Sequence, residues 1–392
     1  MLIYNARLLT MTEDYEIPVG WLETEGKKIK AVGAGIPENI PEDSIDAKGG
    51  VLLPGFIDAH THLGIIEDGV DFEGDDCNES TDPFTPEMRA IDGINPFDRC
   101  FEEARMRGIT TVASSPGSAN ACGGEICAIK TVGRRVDDML IKNCGIKFAL
   151  GENPKRVYND RDETPVTRMA TVAVIRDGLY KSRRYAHDMD SYYSDSENGE
   201  PPEYDIKCEA LMPILERKQK AFFHCHRADD ICTAMRIANE FSLDLVIIHG
   251  TEGYKIADIL ADEEIPVICG PVICDRCKPE MRELDIKNPG ILWSEGVNIA
   301  ICTDHTVVPI QYLPLSAQVC AKGGIGFYSL YELITIKPAE ILGIDDRVGS
   351  LEAGKDADIQ LYRAIEHPLE ILSAITEPVL VMIDGEIIRR DL

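Results

Sequence analysis

Apolar and polar positions follow two rhythms along this chain, one at its ends and another between them. Near the start, Leu2–Leu9 reads as a strand, and Trp21–Glu25 alternates before a turn at Gly26 and a second strand-like run, Ile29–Val32. That pattern predicts a hairpin. Near the end, Asp356–Tyr362 and Pro378–Ile383 are strand-like, and Asp384-Gly385 is a strong hairpin-turn signal before Glu386-Ile-Ile-Arg. In the middle, short apolar runs recur at Val51–Ile57, Thr110–Ala113, Ile146–Leu150, Ala221–Phe223, Leu243–Ile248, Pro266–Cys269 and Val297–Cys302. Helical stretches separate several of them. The clearest is Ala228–Phe241, with Ile231, Ala234, Met235, Ala238 and Phe241 at helical spacing. Tyr192–Pro202 reads as a polar loop or insertion, and no internal repeat is evident. Strand alternating with helix predicts an α/β centre over residues 51–345. The β-rich ends, residues 1–50 and 346–392, predict an accessory β-domain built from both termini.

Composition narrows this little. The chain has 392 residues, 44% hydrophobic and 28% charged, which is ordinary for a globular protein. A net charge of −28 is the wrong sign for a nucleic-acid binder and is repelled by an anionic membrane surface. No apolar run approaches the roughly 20 residues that span a bilayer. The thirteen cysteines follow no repeating spacing, and the opening residues read as a strand rather than a secretory leader. Reduced thiols and a cytoplasmic location are expected.

The eight histidines change the picture. His60 and His62 follow the run ending at Ile57, His224 and His226 follow Phe223, and His249 follows Ile248. Asp304, with His305 beside it, follows Val297–Cys302. Active sites of parallel barrels gather where strands end, so these side chains are expected to converge. Alternate strand residues face one side, so His60 and His62 can share a cation. Imidazole suits zinc, with manganese or iron possible at a mixed His/carboxylate site. Asp304 is placed to touch the metal and to accept a proton from bound water. His187 and His367 lie outside any motif and read as surface residues.

The segments Leu53-Pro-Gly-Phe-Ile-Asp-Ala-His60-Thr-His62, His224, His249 and Cys302-Thr-Asp304 resemble the amidohydrolase superfamily. So does the tail from Lys337-Pro-Ala-Glu-Ile-Leu-Gly343 to Gly349-Ser-Leu-Glu-Ala-Gly-Lys-Asp-Ala-Asp-Ile-Gln360. Within it the chain looks closest to the imidazolonepropionase-like and prolidase-like branch. The resemblance implies a TIM-type (β/α)8 barrel flanked by a β-sandwich from both termini. It also implies one or two divalent cations held by the His60/His62 pair, His224, His249 and Asp304. In many members a carboxylated lysine bridges two metals, and in others a glutamate does so. Glu152, just past the run Ile146–Leu150, is the expected bridge, with Lys155 the competing choice or a substrate contact. His224 is preferred over His226 as ligand because it directly follows the strand. His226 is then an oxyanion or substrate contact or a group that supports a ligand, Arg227 a fork for a substrate carboxylate or a surface arginine at a helix start, and His305 a further substrate contact or a packing residue.

The expected reaction is hydrolysis of a C–N bond in an amide or cyclic amide of a small molecule by metal-activated water. Competing readings are a dipeptidase of prolidase type, a deaminase, and a non-catalytic scaffold on the same fold; the oligomeric state is open, a homo-oligomer being common in the resembled superfamily. Two other motifs are weak. Cys274-Asp-Arg-Cys277 lacks a second pair and reads as structural thiols. Gly117–Gly124 lacks the Lys and Ser/Thr of a phosphate loop and reads as a turn or pocket wall.

Overall fold

The computed structural model describes residues 1–194 and 200–392. Two eight-stranded sheets account for the two sequence rhythms. The first is built from both ends: β1 (Leu2–Leu9), β2 (Glu16–Glu25), β3 (Lys28–Ala34), β4 (Ile45–Asp46), β5 (Val51–Pro54), β14 (Ile359–Tyr362), β15 (Leu380–Ile383) and β16 (Glu386–Arg390). Its order is β16-β15-β14-β5-β1-β2-β3, with β4 beside β1. Both expected hairpins form. In the second, Asp384 and Gly385 take φ of 50° and 76°, the left-handed pair that a two-residue turn between twisted strands requires.

The second sheet is the nearly closed barrel: β6 (Phe56–Thr61), β7 (Ile109–Ser114), β8 (Cys122–Lys130), β9 (Leu140–Ala149), β10 (Lys220–Cys225), β11 (Leu245–His249), β12 (Val267–Cys269) and β13 (Ile299–Ile301), hydrogen-bonded in that order. The apolar run Val51–Ile57 is not one strand. It divides at Gly55 between the terminal sheet and the barrel. The βα rhythm also hides β8, which runs antiparallel to both neighbours and takes in the end of the Gly117–Gly124 stretch. Alternation along each barrel strand separates two cores. On β11, Leu245 and Ile247 pack outward, while Val246 and Ile248 join Phe222, Ile268 and Ala300 inside. The helix Ile336–Leu342 completes the inner core at the barrel's N-terminal rim, where Lys220 Nζ donates to the Ile341 carbonyl at 2.8 Å.

The helix Ala228–Phe241 forms as expected and buries the five named apolar residues. It ends at Ser242, whose φ of 59° is left-handed. A left-handed L-residue costs roughly 1–2 kcal/mol, and glycine forfeits roughly 0.5–1 kcal/mol of chain entropy. Ser242→Gly is therefore expected to stabilise the protein by about 0.5 kcal/mol, measured by urea melts. The polar stretch Tyr192–Pro202 begins inside the helix Arg168–Ser194, and its residues 195–199 lie outside the described residues. Among the described residues, no helix is long and apolar enough to cross a membrane.

One buried cation joins the two sheets. Lys130, on β8, places Nζ 2.6 Å from Asp358, 2.9 Å from Asp356 and 3.3 Å from Asp384. Barrel closure is also polar. Asp58 on β6 accepts from the Thr303 amide at 3.2 Å and from its hydroxyl at 2.5 Å. Beyond it, the His62 amide donates to the His305 carbonyl and the Asp304 amide to that of His60, at 2.8 and 3.2 Å.

Candidate metal centre

These closing bonds hold the end of β6 against the segment after β13, and there the expected side chains meet. Asp304 Oδ1 lies 3.3 Å from His60 Nε2 and 3.4 Å from His62 Nε2. The donor atoms of these three residues lie within 4.8 Å of one another, and so do those of His224, His226 and His249. The two groups adjoin, with the His60 and His249 ring centroids 5.6 Å apart. His249 and Asp304 hold left-handed backbone, with φ of 75° and 52°. Such conformations cost of order 1–3 kcal/mol each and persist where the surroundings fix them. Here they turn the two side chains inward just as their strands end.

Ring orientation is set from outside the cavity. His62 Nδ1 donates to the Ser115 carbonyl and His249 Nδ1 to that of Gly270, each at 2.7 Å. A carbonyl only accepts, so each ring keeps Nε2 for the cavity side. Protonation points the same way. Burial, helped by the Lys147 charge, holds His60 down at about 3. Burial also holds His226 at about 4 and His224 and His249 well below the ordinary imidazole value. Burial opposes charge on Asp304 too, but His249, His60 and His62 keep its carboxyl well below the usual range. His62 is the exception. Burial works against its proton, yet Cys77 and Asp304 push it up to about 10. A cation bound there would take that proton's place. Neutral imidazoles, an ionised carboxylate and fixed ring orientations fit a divalent metal.

Glu152, the expected bridge, is not among the residues of either donor group. After Gly151, at φ 83°, the chain turns into the helix Glu152–Asn159. Glu152 there pairs with Glu280: its amide donates to Glu280 Oε2 at 2.9 Å. Glu152 and Lys155 line a separate cavity of about 470 Å³ together with Arg227. The lysine at the donor groups is Lys147, on β9, 1% exposed, with Nζ 3.2 Å from His60 Nε2. Burial lowers its ammonium to about 8. A lysine inside the otherwise apolar run Ile146–Leu150 is the available signal, because lysine is almost never fully buried without a partner. Glu280, on the short helical turn Pro279–Met281 after β12, was also missed. Its Oε1 lies 3.7 Å from His224 Nε2 and 3.6 Å from His226 Nε2.

Three substrate-contact expectations fare differently. Arg227 turns its fork onto Asp229, with both contacts at 2.9 Å, while still lining the neighbouring cavity. Lys155 lines that same cavity. His305 is buried, its Nδ1 accepts from the Ile310 amide at 3.2 Å, and it does not line the donor cavity. The donor cavity itself holds about 220 Å³ and is walled by His60, His62, Asp304, His224, His249, Lys147 and the Gly117-Ser118 turn. His187 and His367 are exposed, and all thirteen cysteines are free thiols.

The chain matches the amidohydrolase family over residues 51–388 and belongs to that family. An amidohydrolase from Thermotoga maritima MSB8 superposes with a TM-score of 0.93 at 40% identity, covering 99% of each chain. The curated amidohydrolase tasK of Hapsidospora irregularis is 29% identical over 96% of this chain, which spans only 41% of that relative's length. A dihydroorotase of Aquifex aeolicus is 23% identical, covering 86% of this chain and 83% of its own. The family is one of hydrolases that typically hold a divalent metal, and the barrel with its terminal sheet is its fold.

Proposed function

We propose that this chain hydrolyses a C–N bond of an amide or cyclic amide in a small molecule, with His60, His62, Asp304, His224 and His249 holding one or two divalent cations, zinc foremost. The observation that carries the reading is the meeting of these five side chains from four strand ends around one buried cavity. A bound metal would lower the pKa of water from about 15.7 toward about 7. The chain supplies the rest. Asp304, kept ionised by the three imidazoles around it, accepts the proton of the attacking water and returns it to the leaving nitrogen. The tautomer-fixing carbonyls of Ser115 and Gly270 keep the rings from rotating between turnovers.

Lys147, beside His60, is the residue we place at the bridge in preference to Glu152. Its positive charge acts against a cation beside His60. Carboxylation removes that charge: the neutral amine adds to CO2, an N–C bond forms, one proton leaves, and a carbamate anion remains. Lys147→Met is expected to weaken zinc binding by at least about tenfold, read by competition with a chelator. Equal zinc affinity in the variant, or no added CO2 by intact-protein mass spectrometry of the wild type, would remove Lys147 from this role.

A second reading concerns the substrate's remainder. Lys155, Arg156, Arg168, Arg227 and Arg282 gather at the neighbouring cavity, in a chain of net charge −28. This supports a substrate bearing a carboxylate, as a dipeptidase would take. The test is a panel of dipeptides, N-acyl amino acids, lactams and aminoheterocycles, assayed before and after chelator treatment. Cleavage of an amide or ring opening, lost with the metal and restored by zinc, is expected. Ammonia release from aminoheterocycles alone would replace the reading with a deaminase. A wild-type protein that binds no metal would favour the scaffold.

A further inference from the structure

We infer that His226 and Glu280 join His224 and His249 as donors to a second cation position, beside the one that His60, His62 and Asp304 hold. The inference rests on the metal reading above and goes beyond it by adding two donor residues.

Two polar atoms at this spot lack partners although they are buried: His226 Nε2 and Glu280 Oε1. Both side chains are 2% exposed, and the two atoms lie 3.6 Å apart. A buried, unsatisfied carboxylate oxygen is costly, and one facing neutral imidazoles gains little from them. A cation between them satisfies both atoms at once. His226 Nδ1 is engaged by Thr251 Oγ1 at 2.7 Å, leaving Nε2 on the Glu280 side. His226 lies nearly parallel to His249, at 7° and 4.5 Å between centroids, and edge-on to His224 at 4.9 Å. Glu280 cannot swing away freely, because its other oxygen accepts from the Glu152 amide. Lys278 Nζ, 3.8 Å from Glu280 Oε1, is the one cation that competes among the described contacts. It is 29% exposed, so its ammonium reaches water instead of neutralising the carboxylate alone.

Three imidazoles and one carboxylate are donors that zinc accepts. The His224/His226/His249/Glu280 cation would fasten the loop after β12 to β10 and β11.

The test uses the full chain, stripped of metal and titrated with zinc against a competing chelator, with bound zinc counted by mass spectrometry. Wild type is expected to show two steps. Glu280→Gln, which keeps the shape and the Glu152 contact, and His226→Asn should each weaken one step about 10–100-fold and leave the other unchanged. His62→Asn should weaken the opposite step. Thermal melts of the stripped proteins separate a binding loss from misfolding, and Glu280→Asp should recover part of the lost affinity. If Glu280→Gln and His226→Asn leave both steps in place while His224→Asn weakens one, the metal reading stands and this inference falls. A single step in wild type also overturns it, and no binding at all sinks both.

Discussion

Asp304→Asn is expected to lower kcat by about 10²–10⁴-fold while the protein stays loaded with metal. The amide keeps the shape and an oxygen at the same place, so His60 and His62 still hold a cation. It cannot accept a proton as the carboxylate does. The carboxylate is unusually suited to that work here, since three imidazoles hold it ionised inside a cavity where burial alone would protonate it. Steady-state kinetics and metal content on the same preparation decide the matter. A metal-replete variant turning over at the wild-type rate would show that Asp304 takes no proton.

Lys130→Met is expected to cost about 3–5 kcal/mol of stability, the range for removing one partner of a buried ionic cluster. The change leaves Asp358 and Asp356 buried without their shared ammonium, although Lys28 and Arg347 still reach Asp356 at 2.7 and 2.8 Å. Linkage gives the pH window. The surrounding carboxylates raise Lys130 above its ordinary value despite burial. Its contribution is therefore complete below the unfolded lysine pKa of about 10.4 and is lost as pH rises through the folded value. Asp356 is held low, so its contribution is present above about 3.9 and lost as pH falls through its folded value. Urea melts at pH 7 and in the alkaline range should show the variant losing less stability than wild type as pH rises. A loss under about 1 kcal/mol at pH 7 would mean that the sheets are joined by other contacts.

How much of this could be read in advance depends on whether the signal was local. Strand periodicity and the Asp384-Gly385 turn are local, and the terminal hairpins follow from them. The strand-end positions of His60, His62, His224, His249 and Asp304 are local as well, and barrel geometry brings them together. Three features are not. The antiparallel β8 begins in Cys122-Gly123-Gly124, where two glycines erase the apolar alternation that marks a strand. Glu152 was placed by extending β9 past its end, but Gly151 turns the chain into a helix there and carries the carboxylate toward Glu280. Glu280 depends on the path of the loop after β12, and spacing in the sequence does not describe that path. Lys147 is a different failure. Its position between Ile146 and Phe148 was visible, and strand alternation sets it opposite its two apolar neighbours, which pack outward.

The donor cavity's 220 Å³ falls below the 300–1,000 Å³ common for small-molecule sites. A polymer could not thread through such a recess, because β6 and the segment after β13 are laced together along one wall. Under the proposed reading, hydrolysis would be confined to whatever protrudes into the recess: a chain terminus, a short side arm or a lone ring. Selection among candidates would then fall to the part left outside, so loop exchange at the mouth should change the substrate without rebuilding the donor groups.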